Sequence, residues 1–122
     1  WGGAIAKAAS ELSDTEVASE EDIARAAVIG ARTFQTMGEA EVGDKTIVDA
    51  ATPFAESMET AKSQLALAWK KAAEMATGGA AKTADFVARK GRAHNHGEAS
   101  LGTPDPGATS FALLMDTVPE FL

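Results

Sequence analysis

Arg89-Lys-Gly-Arg-Ala-His-Asn-His-Gly-Glu-Ala-Ser-Leu-Gly-Thr-Pro-Asp-Pro-Gly-Ala-Thr-Ser110 is the longest run of the chain without helical periodicity. It stands between two helical segments, and both of its ends carry helix punctuation. Gly91 follows Arg89 and Lys90, the order in which a helix stops: cations in the last turn, then a residue free to turn. Asp105-Pro106 opens the next helix, with Asp as N-cap and Pro at the first helical position. A loop of about a dozen residues between helices is usually functional or disordered. The density of turn-specific residues here favours function.

Working outward, every segment shows a period near 3.6. Residues 3–12 form a short helix with Ile5, Ala8 or Ala9 and Leu12 on one face. About ten residues do not hold a helix alone in water, so it must pack on something. Residues 13–19 read as a polar linker. Ser19 caps a second helix whose first turn is Glu20, Glu21 and Asp22 at the positive end of the dipole, with Ile23, Ala27, Gly30, Ala31 and Phe34 as its apolar stripe. Gly30 costs about 1 kcal/mol against Ala and is expected to allow a close helix contact. Residues 38–45 form a loop, with Asp44 expected to cap the third helix. Ile47, Ala51, Phe54, Met58 and Ala61 line that helix. Pro53 lies inside it and frees the carbonyl of Asp49. Leu65, Ala68, Trp69, Ala72 and Met75 or Ala76 mark the fourth helix, which Gly78-Gly79 is expected to break. Ala80, Ala84, Val87 and Ala88 suggest a fifth, ending at Arg89-Lys90. The last helix runs from Pro106 to about Val118, with Phe111, Leu114, Met115 and Val118 inward and Pro119 as its stop. The fold class is all-α, an antiparallel bundle with short connections.

Composition narrows the function. Hydrophobic residues make up 45% of the 122 residues and aromatics only 6%, so Ala carries much of the apolar content. The net charge of -7 and the absence of a long Lys/Arg run argue against a general nucleic-acid binder, which needs a basic face for phosphates. With no Cys there is neither a disulfide nor a thiolate metal site. No apolar run is long enough to cross a membrane and none reads as a signal peptide, so a soluble cytoplasmic protein is the expectation. The chain starts at Trp1 rather than Met, as if entering the middle of an element, which suggests missing upstream sequence.

Four constellations carry candidate chemistry. Gly43-Asp44-Lys45-Thr46 with Asp49 reads as a helix start, or as a helix N-terminus offering amides and the Thr46 hydroxyl to an anion. Arg89, Lys90 and Arg92 read as a solvated basic helix end or as an anion site. His94-x-His96 with Glu98 lacks a third spaced ligand and reads better as polar loop than as a metal site. Asp105-Pro106-Gly107 is an N-cap, with Gly107 leaving room for a ligand at the backbone. Met58, Trp69, Met75 and Met115 read as core. No phosphate-binding P-loop, dinucleotide Gly fingerprint or zinc-protease His pair occurs.

Three motifs in order, Gly43-Asp-Lys-Thr-Ile-Val-Asp49, Ala88-Arg-Lys-Gly-Arg-Ala93 and Asp105-Pro-Gly-Ala-Thr-Ser110, resemble the nucleotide-binding L domain of dihydroxyacetone kinases, the DhaL or Dak2 domain. The resemblance covers nearly the whole chain. It implies a barrel of eight antiparallel helices that binds ATP or ADP at one end. By position, the nucleotide contacts fall on Gly38, Ile47, Arg92 and Asp105, Pro106 and Gly107, joined by Thr46 at the helix start. Arg92 would face phosphate and the others would wall the nucleotide. The family's magnesium ions are held by aspartates of a Gly-Asp-x-Asp-x-Gly motif that this chain lacks, and Trp1-Gly2-Gly3 matches only the end of its Gly/Ser-rich phosphate loop. Residues 1–122 are therefore expected to be a single domain, the C-terminal portion of an L domain. His94-Asn95-His96 and Ala99 stand at variable or changed places, which bears on substrate range.

The resemblance further implies a ketose-binding DhaK-type domain or subunit as partner, and a phosphotransferase-system protein as possible phosphate source. The resulting expectation is the nucleotide-binding part of a kinase acting on a small ketose. The alternative is a non-catalytic helical interaction module. The isolated chain is expected to lack turnover, to bind nucleotide weakly, and to self-associate through the Ile23/Phe34 and Phe111/Leu114 stripes.

Overall fold

The computed structural model describes residues 1–12, 18–87 and 101–122. It contains α1 (Gly2–Leu12), α2 (Glu20–Gly38), α3 (Val48–Thr60), α4 (Leu65–Lys82) and α5 (Pro106–Thr117). Short 3-10 turns follow α4 at Thr83–Asp85 and α5 at Val118–Phe121. Among the described residues there is no strand, in keeping with the all-α expectation. The 13–17 stretch and residues 88–100, with Arg89, Lys90, Arg92, His94, His96 and Glu98, lie outside the described residues.

Local chemistry starts each helix. Ser19 Oγ accepts from the Asp22 amide at 3.1 Å while Asp22 Oδ2 accepts from the Ser19 amide at 3.3 Å, closing a capping box at α2. Asp105 Oδ2 accepts from the Ala108 amide at 2.8 Å and Pro106 occupies the first turn of α5, as expected.

The helices run antiparallel in sequence. At one end, the Glu20 side chain accepts from the Leu65 amide at 3.0 Å, joining the starts of α2 and α4. At the opposite end, the Trp1 ring lies 5.0 Å from Phe34 and 5.9 Å from Phe111, so the start of α1 meets the last turns of α2 and the first turns of α5. The core sits between α3 and α4, where Ala50, Ala51 and Ala55 face Ala72, Ala76 and Ala80 in close-packed contact. Phe34, Phe111, Phe54 and Trp69 form a chain of edge-on aromatic contacts through it, at 5.8, 5.6 and 5.3 Å. Each such pair adds about 0.5–1.5 kcal/mol beyond its buried area. Trp69 Nε1 donates to the Met115 carbonyl at 3.0 Å, fixing α4 to α5.

Several expectations are corrected. Gly78-Gly79 does not break α4, which continues to Lys82. A Cβ on Gly79 would stand 2.1 Å from the Asp49 carbonyl oxygen. That carbonyl is the one left without a helical donor by Pro53, and the Gly79 C–H standing in place of a Cβ points at it. Close packing on α3 thus outweighs the helix-breaking tendency of the pair. No separate helix begins at Ala80 among the described residues: α4 runs on to Lys82 and Thr83–Asp85 form a 3-10 turn, while the expected helix end at Ala88, Arg89 and Lys90 lies outside them. Asp44 does not cap α3; it closes a turn with Glu41 instead. Ile5 is exposed and Ala4 is the buried residue of α1, because α1 meets α2 at Gly30, whose missing side chain faces Ala8 Cβ at 3.2 Å and the Ala4 carbonyl at 3.3 Å. The close contact expected of Gly30 is therefore present. Met75 is exposed and Ala76 takes its inward position. Leu114 is 50% exposed, while Ile23, Phe34 and Phe111 pack into the chain's own core, so the apolar stripes are mostly covered internally.

Candidate functional site

The loop entering α3 is built around one carboxylate. Asp49, buried in the first turn of α3, accepts from the Gly43 amide through Oδ1 at 2.6 Å and from the Thr46 amide through Oδ2 at 2.8 Å. The helix dipole favours an anion there. Thr46 Oγ1 in turn accepts from the Val48 amide at 3.1 Å, and the amides of Asp49 and Ala50 donate to the carbonyls of Thr46 and Ile47. Gly43 and Lys45 adopt positive φ, 105° and 64°, to make the turn. This leaves Ile47, without a side-chain cap of its own, as the residue from which α3 departs.

The loop meets the start of α5. A Cβ on Gly107 would lie 3.5 Å from Ile47 Cβ and 3.2 Å from Asp105 Oδ2, so glycine lets the two backbones close on one another. Asp105 is buried, and its amide donates to Thr83 Oγ1 at 2.7 Å. Beside it, the Gly102 amide donates to the Ala84 carbonyl at 2.6 Å. Lys45, also buried, sends Nζ to the Phe86 carbonyl at 3.0 Å. Burial pushes the Asp105 carboxyl above the ordinary carboxylate value; the amide of Ala108 opposes this, the charge of Asp49 adds to it, and the Gly107 amide and Lys45 again oppose it.

The structure therefore brings Thr46, Ile47, Asp105, Pro106 and Gly107 together. Gly38 ends α2 at this same end of the bundle, with nothing within 4 Å of where a Cβ would stand. Arg92 lies outside the described residues. At the start of α3 the amides of Thr46, Val48, Asp49 and Ala50 are engaged within the protein, as are those of Asp105, Ala108 and Thr109 at the start of α5. Sequence reasoning missed the clamp role of Asp49, although its spacing from Gly43 and Thr46 was in view. It also missed Lys45 and Thr83, whose partners come from distant segments and leave no local signal.

A groove of about 790 Å³ runs between α1 and α2, lined in part by Gly3, Lys7, Arg32 and Met37. It contains none of the candidate residues. The buried polar network, not the groove, marks the candidate site, because buried polar groups in such number require a specific arrangement. The described residues do not fit a magnesium site: no group of three His, Cys, Asp or Glu side chains converges among them, and the Asp44, Asp49 and Asp105 carboxylates are held by backbone amides.

The polar network lies at one end of the antiparallel helices, where loops meet the starts of α3 and α5. The chain matches the DAK2 domain over residues 1–120 and belongs to that family. It is 46% identical over 123 residues to the L-erythrulose 1-kinase of Mycolicibacterium smegmatis, which covers 100% of this chain and 22% of that kinase. It is 38% identical over 123 residues to the D-erythrulose kinase of the same organism, covering 98% of this chain and 21% of that one. Against the ADP-binding subunit DhaL of the PEP-dependent dihydroxyacetone kinase of Escherichia coli it is 40% identical over 89 residues, 70% of this chain and 42% of the subunit. The chain thus spans less than half the length of each of these relatives. Among the described residues no helix is long and apolar enough to cross a membrane.

Proposed function

We propose that residues 1–122 form a single domain, the C-terminal portion of a DhaL-type nucleotide-binding domain, in a cytoplasmic kinase that phosphorylates a small ketose. ATP or ADP lies at the end where α3 and α5 begin, walled by Gly38, Thr46, Ile47, Asp105, Pro106 and Gly107, with Arg92 toward phosphate. The observation that carries this reading is the contact of two segments far apart in the chain, with the missing side chain of Gly107 facing Ile47 at 3.5 Å. The names of the relatives support it: two erythrulose kinases and an ADP-binding subunit.

The family's magnesium, which supplies charge neutralisation at transferring phosphate, needs ligands beyond the described residues. What these residues contribute is position. Asp49 holds the loop that presents Thr46 and Ile47, and Asp105 holds the first turn of α5. The ketose belongs to a DhaK-type domain or subunit. Relatives named as PEP-dependent and PTS-dependent subunits support a phosphotransferase-system protein as phosphate source in one branch of the family. Self-association through exposed residues such as Leu113 and Leu114 belongs to the same reading.

Calorimetric titration of ATP and ADP, with and without magnesium, tests it. Micromolar binding needs about 8 kcal/mol, whereas one charge-assisted contact from Arg92 supplies about 1–3 kcal/mol. The chain alone is expected to bind more weakly than micromolar and to show no turnover. Arg92→Ala is expected to abolish what binding there is. Micromolar, magnesium-dependent binding by the chain alone refutes the assignment of the metal site to residues beyond it, and unchanged binding by Arg92→Ala refutes the role of Arg92.

A further inference from the structure

Lys45 is 1% exposed, though it lies in a polar loop that gives no reason to bury a lysine. Burying an ammonium is costly unless other groups replace its water. Its backbone φ of 64° is one that Gly or Asn would adopt more readily, so the local turn does not call for this residue either. Its side chain makes the connection that the turn does not explain. Nζ donates to the Phe86 carbonyl at 3.0 Å, just past the 3-10 turn that leaves α4. That turn is bonded to the entry of α5 by Asp105 to Thr83 and by Gly102 to Ala84.

We infer that Lys45 is the positioning residue of this end of the bundle: by gripping the Phe86 carbonyl, its ammonium holds the wall carrying Ile47 against the wall carrying Asp105 and Gly107. The inference rests on the proposed function only for what the walls hold, a nucleotide. Among the described residues, the charged groups that act on Asp105 are Asp49 and Lys45, with the amides of Ala108 and Gly107 as its direct partners. Lys45 is the cation of that set, so it also favours the ionised cap on which the first turn of α5 depends.

The chain has no cysteine, which permits a clean test by chemical rescue. Lys45→Cys is prepared unmodified and aminoethylated under denaturing conditions before refolding, which restores an ammonium at nearly the original reach. Amide hydrogen exchange and the titration of the Asp105 carboxyl are followed by NMR, with exposed Lys70→Met as control. Lys45→Cys is expected to speed exchange of the Gly102 and Asp105 amides about tenfold or more over the change at Ala72 and Ala76, as local opening does. It is also expected to raise the Asp105 midpoint, with aminoethylation reversing both effects. Equal acceleration across the core, no change at Gly102 and Asp105, or no rescue overturns the inference. Should Lys45→Cys not fold, Lys45→Met keeps the apolar stem and carries the same two readouts. ADP added to the unmodified wild-type chain separates the two ideas: no amide shift at Ile47 and Gly107 defeats the nucleotide reading, while exchange still decides the role of Lys45.

Discussion

Replacing Gly79 by alanine drives a methyl group into the backbone of α3. The new Cβ would stand 2.1 Å from the Asp49 carbonyl oxygen, 3.2 Å from its carbon and 2.9 Å from Pro53 Cγ. Because the nearest atom is backbone, no side-chain rotation relieves the contact, and α3 must move by roughly 1 Å from α4 to restore an ordinary separation. The layer that would open contains Ala50, Ala51 and Ala76, all almost fully buried. Overpacking of this kind costs about 1–3 kcal/mol or more, and the better helix propensity of Ala returns about 1 kcal/mol. The net expectation is a loss of about 2 kcal/mol, since backbone collision places the packing cost at the upper end of its range. Gly78 is exposed with nothing within 4 Å of its Cβ position, so Gly78→Ala gains about 0.5–1 kcal/mol. For a chain of this size these correspond to a melting temperature roughly 10 °C lower for Gly79→Ala and about 3 °C higher for Gly78→Ala. Urea and thermal unfolding followed by far-UV circular dichroism measure both. Equal effects of the two substitutions, the result expected if the pair were a helix end, would refute the packing argument, as would a neutral Gly79→Ala.

Three further outcomes follow from the hydrogen bonds and charges. Asp49→Asn places an amide group against either the Gly43 or the Thr46 amide, and urea unfolding is expected to show a loss of about 1–3 kcal/mol; unchanged stability contradicts the clamp. Asp105 has a folded pKa raised above its ordinary value of 3.8, so the native state binds the proton more tightly and stability falls as pH climbs from 3.8 through the folded pKa. In melting temperatures taken over a pH series, Asp105→Asn is expected to improve relative to wild type across that window, and a pH-independent difference counts against the burial argument. The Arg32–Glu59 pair at 3.0 Å has both side chains more than a third exposed, so a double-mutant cycle is expected to give a coupling of no more than about 1 kcal/mol.

Where structure follows from short-range chemistry, it was legible in the chain. The cap at Ser19, the Asp105-Pro106 helix start and the apolar stripe of α2 all depend on residues within one or two turns of each other. Gly30 was also readable, because a glycine at an apolar stripe position has few explanations other than close contact. Propensity reads Gly78-Gly79 as a break because it is local, whereas the partner that uses Gly79 is a carbonyl of another helix exposed by Pro53. Hydrophobicity alone points Ile5 inward, but the contact is built on Gly30, so Ala4 goes in and Ile5 stays out. In the candidate site, Asp44 and Asp49 are equivalent to a capping argument. Only the fold of the turn decides that Asp44 serves Glu41 while Asp49 serves Gly43 and Thr46. Lys45 carried no sign of burial, because the Phe86 carbonyl it reaches lies beyond two intervening helices.

The most direct measurement of the central claim is a titration of the isotope-labelled chain with ADP, read residue by residue from amide resonances. Shifts are expected at Gly38, Thr46, Ile47 and Gly107, growing without saturation through the micromolar range and lost in Arg92→Ala. Shifts confined to the α1/α2 groove, at residues such as Gly3, Ser10 and Thr33, or no shift at Ile47 and Gly107 at any concentration, would contradict it.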